Sequence, residues 1–150
     1  MVKKTLSIVV PVYNEEEGIK TFIEHRLLPE LIKISENYNC ELILVNDGSS
    51  DSTLSILQKI YTNNQKRYKG IEIKVIALSR NFGKEVALSA GFKNATGDAV
   101  FSIDADGQQP PEIMESFIKS WVKGNEIIIG VRDHYTKHGL IPKLGSKLFY

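Results

Sequence analysis

The 150-residue sequence contains a single cysteine, Cys40, which excludes an internal disulfide framework and fits a reducing compartment. It also lacks an excess of either charge, because 19 Lys and Arg residues stand against 18 Asp and Glu residues and the net charge is +1. A near-neutral balance argues against a dedicated nucleic-acid-binding protein, which would carry a strongly basic face. The composition, 42% hydrophobic and 25% charged, is that of one globular domain or part of one.

Long hydrophobic runs are missing as well. The apolar run near the amino terminus consists of residues 8–10 and is followed at once by Pro11, so it is too short for a secretory signal or a membrane span. We therefore expect no transmembrane segment in these residues.

Two phosphate-binding signatures are also absent. The sequence has no G-x-x-x-x-G-K-[ST] loop and no G-x-G-x-x-G after its first apolar run, which argues against a P-loop nucleotidase and a dinucleotide-binding dehydrogenase. If phosphates bind to this chain, a metal ion must do what a glycine-rich loop does in those proteins.

What the sequence does contain is an alternation of strand and helix patterns. Apolar runs predict strands over residues 5–10, 41–45, 73–78, 99–103 and 126–131. Helical spacing predicts helices over residues 15–37, with a break or kink at Pro29, and over residues 111–123, and a further helix capped by Ser50 or Asp51. Residues 84–94 are predicted to form a short helix that is stopped by Gly97. Repeated β-α-β units imply a parallel sheet with helices on both faces, and such sheets bind ligands at the carboxyl ends of their strands.

Polar residues follow all five predicted strands, and the most informative group is Asp104–Ala105–Asp106. Two carboxylates one residue apart at the end of a strand can point to the same side, where a shared cation would relieve their repulsion. Mg²⁺ and Mn²⁺ suit oxygen ligands of this kind. The alternative for the triplet alone is a polar turn, in which Gly107 supplies a positive φ.

Four motifs in order carry a resemblance to a known family. They are SIVVPVYNE at residues 7–15, LVNDGSSD at 44–51, LSRNFGKE at 78–85 and IDADGQ at 103–108. Together they resemble the inverting family 2 glycosyltransferases with the GT-A fold, a Rossmann-like, mostly parallel sheet flanked by helices on both faces. RNFGK, together with the PPE sequence at residues 110–112, is similar to the polyprenyl-phosphate sugar transferases, such as the undecaprenyl- and dolichyl-phosphate enzymes.

The resemblance implies a role for each matched residue in binding the nucleotide. Pro11, Tyr13 and Glu15 would flank the base and ribose, and Asp47 would hydrogen-bond the nucleoside. Pro11 and Tyr13 could instead end a strand and pack against a helix, and Asp47 could be a turn residue. Asp51, at the end of the second motif, is better explained as a helix cap.

The metal and phosphate roles fall on the later motifs. The resemblance implies that Asp106 and Gln108 ligate Mg²⁺ or Mn²⁺ on the diphosphate and that Asp104 contacts ribose or a metal-bound water. Lys84 and Arg132 are candidate phosphate partners, and Asp104, Asp106 and Arg132 are the candidate catalytic residues. Lys84 could equally be solvated, and Arg132 could pair with Asp133.

The implied activity is inverting transfer of a sugar from a nucleotide diphosphate sugar, UDP-linked rather than GDP-linked, to a polyprenyl phosphate at the cytoplasmic face of a membrane. A lipid phosphate is already an anion, so this acceptor needs cations to hold it rather than a catalytic base. Gly107 and Gln109 depart from the usual pattern of this branch, which weakens the assignment of the acceptor more than that of the donor. The alternatives are transfer to a sugar hydroxyl in polysaccharide or lipopolysaccharide synthesis, and a nucleotide-sugar-binding module without turnover.

The family resemblance also implies a longer protein. We expect residues 1–150 to form the nucleotide-sugar-binding catalytic domain, truncated before the acceptor-binding part and any membrane segments. An apolar seam should then be left uncovered and promote self-association, with candidate residues Leu140, Ile141, Leu144, Leu148 and Phe149.

Overall fold

The computed structural model describes residues 2–64 and 67–130 of the chain. It contains four strands, β1 (Thr5–Val12), β2 (Asn39–Asn46), β3 (Ile71–Ala77) and β4 (Ala99–Ser102). Five α-helices connect and follow them: α1 (Ile19–Phe22), α2 (Leu28–Ser35), α3 (Thr53–Asn64), α4 (Lys84–Asn94) and α5 (Ile113–Val122). A π-helical segment, Ile23–Leu27, joins α1 to α2 without a break.

The four strands form one parallel sheet in the order β3-β2-β1-β4. The central strands are almost completely buried, as expected when helices cover both faces. Side chains of β1 and β2 alternate between two apolar clusters. One cluster packs against α1, α2, α3 and α5, and the other, which contains Val9, Ile43 and Val45, packs against Ala87 of α4. The predicted parallel α/β architecture is therefore confirmed.

Pro29 neither breaks nor ends its helix. It lies in the first turn of α2, where a missing N–H costs little, and the change from the π-helical segment to α2 occurs just before it. The predicted interruption near Leu28 is therefore a local widening of the helix rather than a kinked end.

The fifth predicted strand is wrong for residues 126–130, which are described and form no strand. Ile127 is 83% exposed and Ile129 is 78% exposed, so their apolar character does not reflect burial in the described part of the sheet. Among the described strands, β4 pairs only with β1, and residues 126–130 make no ladder with either. The rest of the predicted strand, together with the proposed seam residues, lies outside the described residues.

Within residues 2–64 and 67–130, the edge of β4 that does not pair with β1 borders a large open groove of about 1240 Å³. Ile113, Phe117 and Trp121 of α5 form much of its wall, and the Phe117 ring stacks on Phe101 of β4 at 5.0 Å between ring centroids. No helix within residues 2–64 and 67–130 is long and apolar enough to span a bilayer.

Candidate functional site

A smaller cleft, of about 270 Å³, opens at the carboxyl ends of β1, β2 and β4. Its walls contain nearly all of the site residues predicted from the motifs. The lining residues are Pro11, Val12, Tyr13, Glu15, Asp47, Asn81, Gly83, Lys84, Ala87, Asp104, Ala105 and Asp106. Four motifs that are far apart in the chain therefore meet in one place, as the topology of a parallel sheet predicts.

The loops after β1 and β2 hold each other through their polar side chains. Asn14, which adopts a positive φ of 51°, donates its backbone N–H to Ser49 Oγ at 3.0 Å and accepts the Ser50 N–H on Oδ1 at 2.9 Å. A positive φ is tolerated by asparagine, and the Asn14 side chain here accepts a hydrogen bond from the loop after β2. These contacts fix the backbone between Tyr13 and Glu15.

Asp51 links the same two loops and lies two residues before the first residue of α3. Its Oδ1 accepts the Thr53 N–H at 2.9 Å, and its Oδ2 accepts the Glu16 N–H at 3.2 Å. Partial burial raises the pKa of the Asp51 carboxyl, but the hydrogen bonds from Thr53 and Glu16 outweigh it and the pKa is lowered. The structure thus places Asp51 at the start of a helix, where a capping carboxylate is expected.

Asp47 is only 3% exposed and lies at the end of β2, between the sheet and α4. Its two carboxylate oxygens accept the backbone N–H groups of Phe82 and Gly83, each at 2.9 Å. Although Asp47 lines the cleft, both oxygens are engaged by the loop after β3. A contact from Asp47 to a nucleoside stays a prediction.

The acidic motif lies opposite the first turn of α4. Lys84 Nζ is 2.6 Å from Asp104 Oδ1, and the Asp104 side chain is 28% exposed. Asp106 is exposed, and its Oδ1 accepts the Gln108 N–H at 2.9 Å within its own loop. The two carboxylates of the motif are therefore in different states, one paired with a lysine and the other open to solvent.

Arg26, in the π-helical segment, makes a hydrogen bond to residues 104–108, the acidic loop. Its Nη1 donates to the Gly107 carbonyl oxygen at 2.7 Å, and Gly107 has a φ of 68°. A Cβ at residue 107 would lie 2.8 Å from that nitrogen, so glycine provides both the backbone conformation and the space for the guanidinium. The departure of Gly107 from the usual motif thus has a local structural reason.

The cleft carries carboxylates of the kind that bind magnesium or manganese. Its lining includes four carboxylates, on Glu15, Asp47, Asp104 and Asp106, against one ammonium, on Lys84. A dianionic phosphate group would be repelled from this surface unless a cation accompanied it. The described residues contain no group of three or more His, Cys, Asp or Glu side chains that could hold a metal alone. Mg²⁺ is commonly bound by one or two carboxylates together with substrate phosphates, and this cleft fits that arrangement.

One predicted residue is not among those that line the cleft: Gln108 lines the large groove beside β4. Arg132 lies outside the described residues. The sequence analysis also missed two residues that the structure places at the site. Asn81 lines the cleft within a motif that was recognised, whereas Arg26 gave no signal because its partner is 81 positions away in the sequence.

Comparison with known proteins agrees with this arrangement. Residues 7–148 match the family described as Glycosyl transferase family 2. The chain belongs to this family. The match spans all four motifs that line the cleft, so the likeness and the geometry concern the same residues.

Three curated relatives illustrate the similarity. An uncharacterised glycosyltransferase of Synechocystis is 42% identical over 97% of this chain and 43% of its own length. A prophage bactoprenol glucosyl transferase homolog of Escherichia coli is 34% identical over 97% of this chain and 44% of its own length. An undecaprenyl-phosphate 4-deoxy-4-formamido-L-arabinose transferase of Pectobacterium carotovorum is 38% identical over 96% of this chain and 41% of its own length. The chain thus spans less than half the length of these relatives.

Solved structures share the fold. Staphylococcus aureus TarS 1-349 in complex with UDP is 28% identical, with a TM-score of 0.53, and the match covers 77% of this chain and 32% of TarS. A mannosyltransferase of Pyrobaculum calidifontis in complex with GDP-Man and Mn²⁺ is 21% identical, with a TM-score of 0.63 over 81% of this chain and 33% of its own. The fold is GT-A, as the motifs implied.

Proposed function

We propose that this chain is the donor-binding domain of an inverting glycosyltransferase that moves a sugar from a nucleotide diphosphate sugar to a polyprenyl phosphate. The proposal for the donor rests on one observation, the meeting of the four motifs in a single acidic cleft at the carboxyl ends of the strands. The proposal for the acceptor rests on the relatives, two of which are named for bactoprenol or undecaprenyl phosphate.

In this proposal, different residues of the cleft contact the base, the metal ion and the phosphates of the donor. Tyr13 is 45% exposed, so one face of its ring is available to the nucleotide base, and Pro11 and Glu15 lie beside it. Mg²⁺ or Mn²⁺, held by Asp106 with Asp104 beside it, would neutralise the charge that develops on the departing diphosphate. Lys84 is proposed to exchange Asp104 for a phosphate oxygen, because its side chain is 59% exposed and lines the cleft.

Inversion requires one in-line attack at the anomeric carbon. An acceptor phosphate is already ionised near neutral pH, so the described cleft needs no general base for this step. Arg132 is proposed to contact phosphate or acceptor from the segment after Gly130. Positioning of donor and acceptor together provides much of the rate, and effective molarities can lower the barrier by ~7 to 11 kcal/mol.

A second candidate is donor binding without turnover. The chain spans 43% of the length of the Synechocystis relative, so the activity of residues 1–150 by themselves has to be measured. The remainder of such proteins is where an acceptor site can lie. This chain alone would then bind the nucleotide and leave the sugar untransferred.

Calorimetry and a transfer assay separate these possibilities. Residues 1–150 should bind UDP more tightly than GDP in millimolar Mn²⁺, and EDTA should abolish the binding. If neither nucleotide binds, or chelator has no effect, the metal-assisted donor site is wrong. The assay then supplies labelled UDP-sugar and a polyprenyl phosphate in detergent. Lipid-linked sugar would show that the acceptor site lies within these residues, and its absence alongside metal-dependent binding would support the binding-only candidate for this chain.

A further inference from the structure

Asp47 lines the cleft, but both oxygens of its carboxylate make hydrogen bonds to the loop after β3. Residues 41, 43, 45 and 47 follow one another on the face of β2 that meets α4, since successive side chains of a strand alternate. Asp47 continues this row beyond the last residue of the strand. Its carboxylate accepts the Phe82 and Gly83 N–H groups at 2.9 Å each, so the start of α4 is tied to the end of β2.

Close backbone packing makes this connection rigid. Gly48 has a φ of 63°, and a Cβ there would overlap the backbone of Arg80 and Asn81. Gly83 has a φ of 98° and precedes the first residue of α4. The loop of residues 79–83 is therefore pressed against the loop after β2 and held there by a buried carboxylate.

The same connection determines where Lys84 lies. Lys84 is the first residue of α4, directly after the N–H group of Gly83 that Asp47 accepts. In the middle of α4, a Cβ on Gly91 would collide with Val9, so the helix lies directly on the sheet. With the helix seated on the sheet and its first turn held by Asp47, Lys84 Nζ reaches Asp104 Oδ1 at 2.6 Å.

We infer that Asp47 is a positioning residue for the diphosphate end of the site, and that it acts through the loop of residues 79–83 on Lys84. This inference rests on the proposed function and differs from the role that the family resemblance implies, a direct contact with the nucleoside. Buried carboxylates that accept two backbone N–H groups are effective ties, because each charge-assisted bond is stronger than a neutral one.

Asp47→Asn tests the inference with little change of shape. One oxygen is replaced by an NH₂ group, which cannot accept a backbone N–H, so the loop loses one of its two hydrogen bonds. We expect UDP binding in Mn²⁺ to weaken about tenfold, whereas binding of uridine and UMP should change less than twofold. Lys84→Met alone should weaken UDP binding about tenfold. In a chain that already carries Asp47→Asn, Lys84→Met should weaken UDP binding by less than a further twofold.

The matched control is Asp51→Asn, which makes the same exchange in a carboxylate that also accepts two backbone N–H groups, those of Glu16 and Thr53. It should change UDP binding less than twofold. Equal weakening of UMP and UDP by Asp47→Asn would show a direct contact with the nucleoside and overturn the inference. Additive effects of the Asp47 and Lys84 changes would overturn it as well.

Measurements without nucleotide separate this inference from the proposed function. In the free chain, Asp47→Asn should speed hydrogen exchange of the Phe82 and Gly83 amides at least tenfold. It should also raise the acylation rate of the Lys84 side-chain amine severalfold relative to that of the exposed Lys119, because the pair with Asp104 loosens. If both rates are unchanged, Asp47 does not position Lys84. If both change but no nucleotide binds to the wild-type chain, the positioning stands and the proposed function fails.

Discussion

Two carboxylate groups in this molecule have opposite surroundings. Glu41, on β2, is 1% exposed, and its oxygens accept hydrogen bonds from Lys74 and Ser7 and from both the N–H and hydroxyl groups of Thr96. Asp106, after β4, is exposed, and the hydrogen bond described for it comes from its own loop. A carboxylate with a full set of donors stabilises the fold, whereas one that faces solvent beside another acidic residue can receive a cation.

The hydrogen bonds around Glu41 also change the pKa of its carboxyl group. Burial raises the pKa, but the hydrogen bonds from Lys74, Ser7 and Thr96 outweigh it and lower the pKa from 4.5 to about 2. The ionised Glu41 side chain is thus part of the folded structure. Its hydrogen bonds connect β2 to β1, to β3 and to the segment before β4. The two groups show that burial with complete hydrogen bonding marks a structural carboxylate, and an open rim position marks a candidate ligand.

The largest effect on binding should come from Asp106→Asn. If Asp106 ligates the metal, the change should weaken UDP binding in Mn²⁺ by about 2 to 4 kcal/mol, because a charged ligand is lost at a charged site. The free energy of unfolding without metal should stay the same or rise, since repulsion from Asp104 is relieved. Calorimetry and urea denaturation measure the two quantities. A lower free energy of unfolding with an unchanged UDP affinity would show that Asp106, like Glu41, is a structural carboxylate.

Glu41→Gln should lower the stability of the fold and leave UDP binding unchanged, which is the opposite of the result expected for Asp106→Asn. Loss of the charge leaves Lys74 without its partner, and the free energy of unfolding should fall by about 2 to 3 kcal/mol, while the folded protein keeps its UDP affinity. The cluster also predicts a pH dependence. Because the folded-state pKa is below the unfolded one, the contribution is complete above about pH 4.5 and is lost as the pH falls toward 2. A glutamine variant with an unchanged acid transition would show that Glu41 is not the responsible group.

Arg26→Ala should have a smaller effect, confined to the acidic loop. It removes the hydrogen bond to the Gly107 carbonyl, and we expect UDP binding in Mn²⁺ to weaken by about 1 kcal/mol because Asp106 is held less firmly. Lys20→Ala, on the neighbouring helix α1, is a control with an exposed side chain. Equal affinities for the two variants would mean that the loop keeps its conformation without Arg26.

Asp51→Asn should have the smallest effect of the series. Exchange of one helix-capping residue for another should cost about 1 kcal/mol of stability or less. Thermal or urea unfolding measures this change. A loss as large as that of Glu41→Gln would show that the link between Asp51 and Glu16 matters more than the cap.

The sequence predicts most of the fold because local and global signals agree. The apolar runs over β1 to β4 and the helical spacing over α5 identify these elements, and the residues after each strand identify the cleft. Residues 126–130 show the limit, because an apolar run forms a strand only where it pairs with another strand, and these residues make no ladder with the described strands. Arg26 and the contacts of Asp47 could not be predicted, since both depend on loops that tertiary packing brings together.

Paramagnetic NMR tests the difference between the two carboxylates most directly. Mn²⁺ is added to the isotope-labelled chain together with UDP, and the broadening of each amide signal is measured, with Mg²⁺ as the diamagnetic reference. We expect strong broadening at residues 104–107 and at Gly83 and Lys84, and none at Glu41, Lys74 or Thr96. Broadening centred on Glu41, or UDP binding with no broadening at residues 104–107, would contradict the assignment of the cation to the open acidic loop.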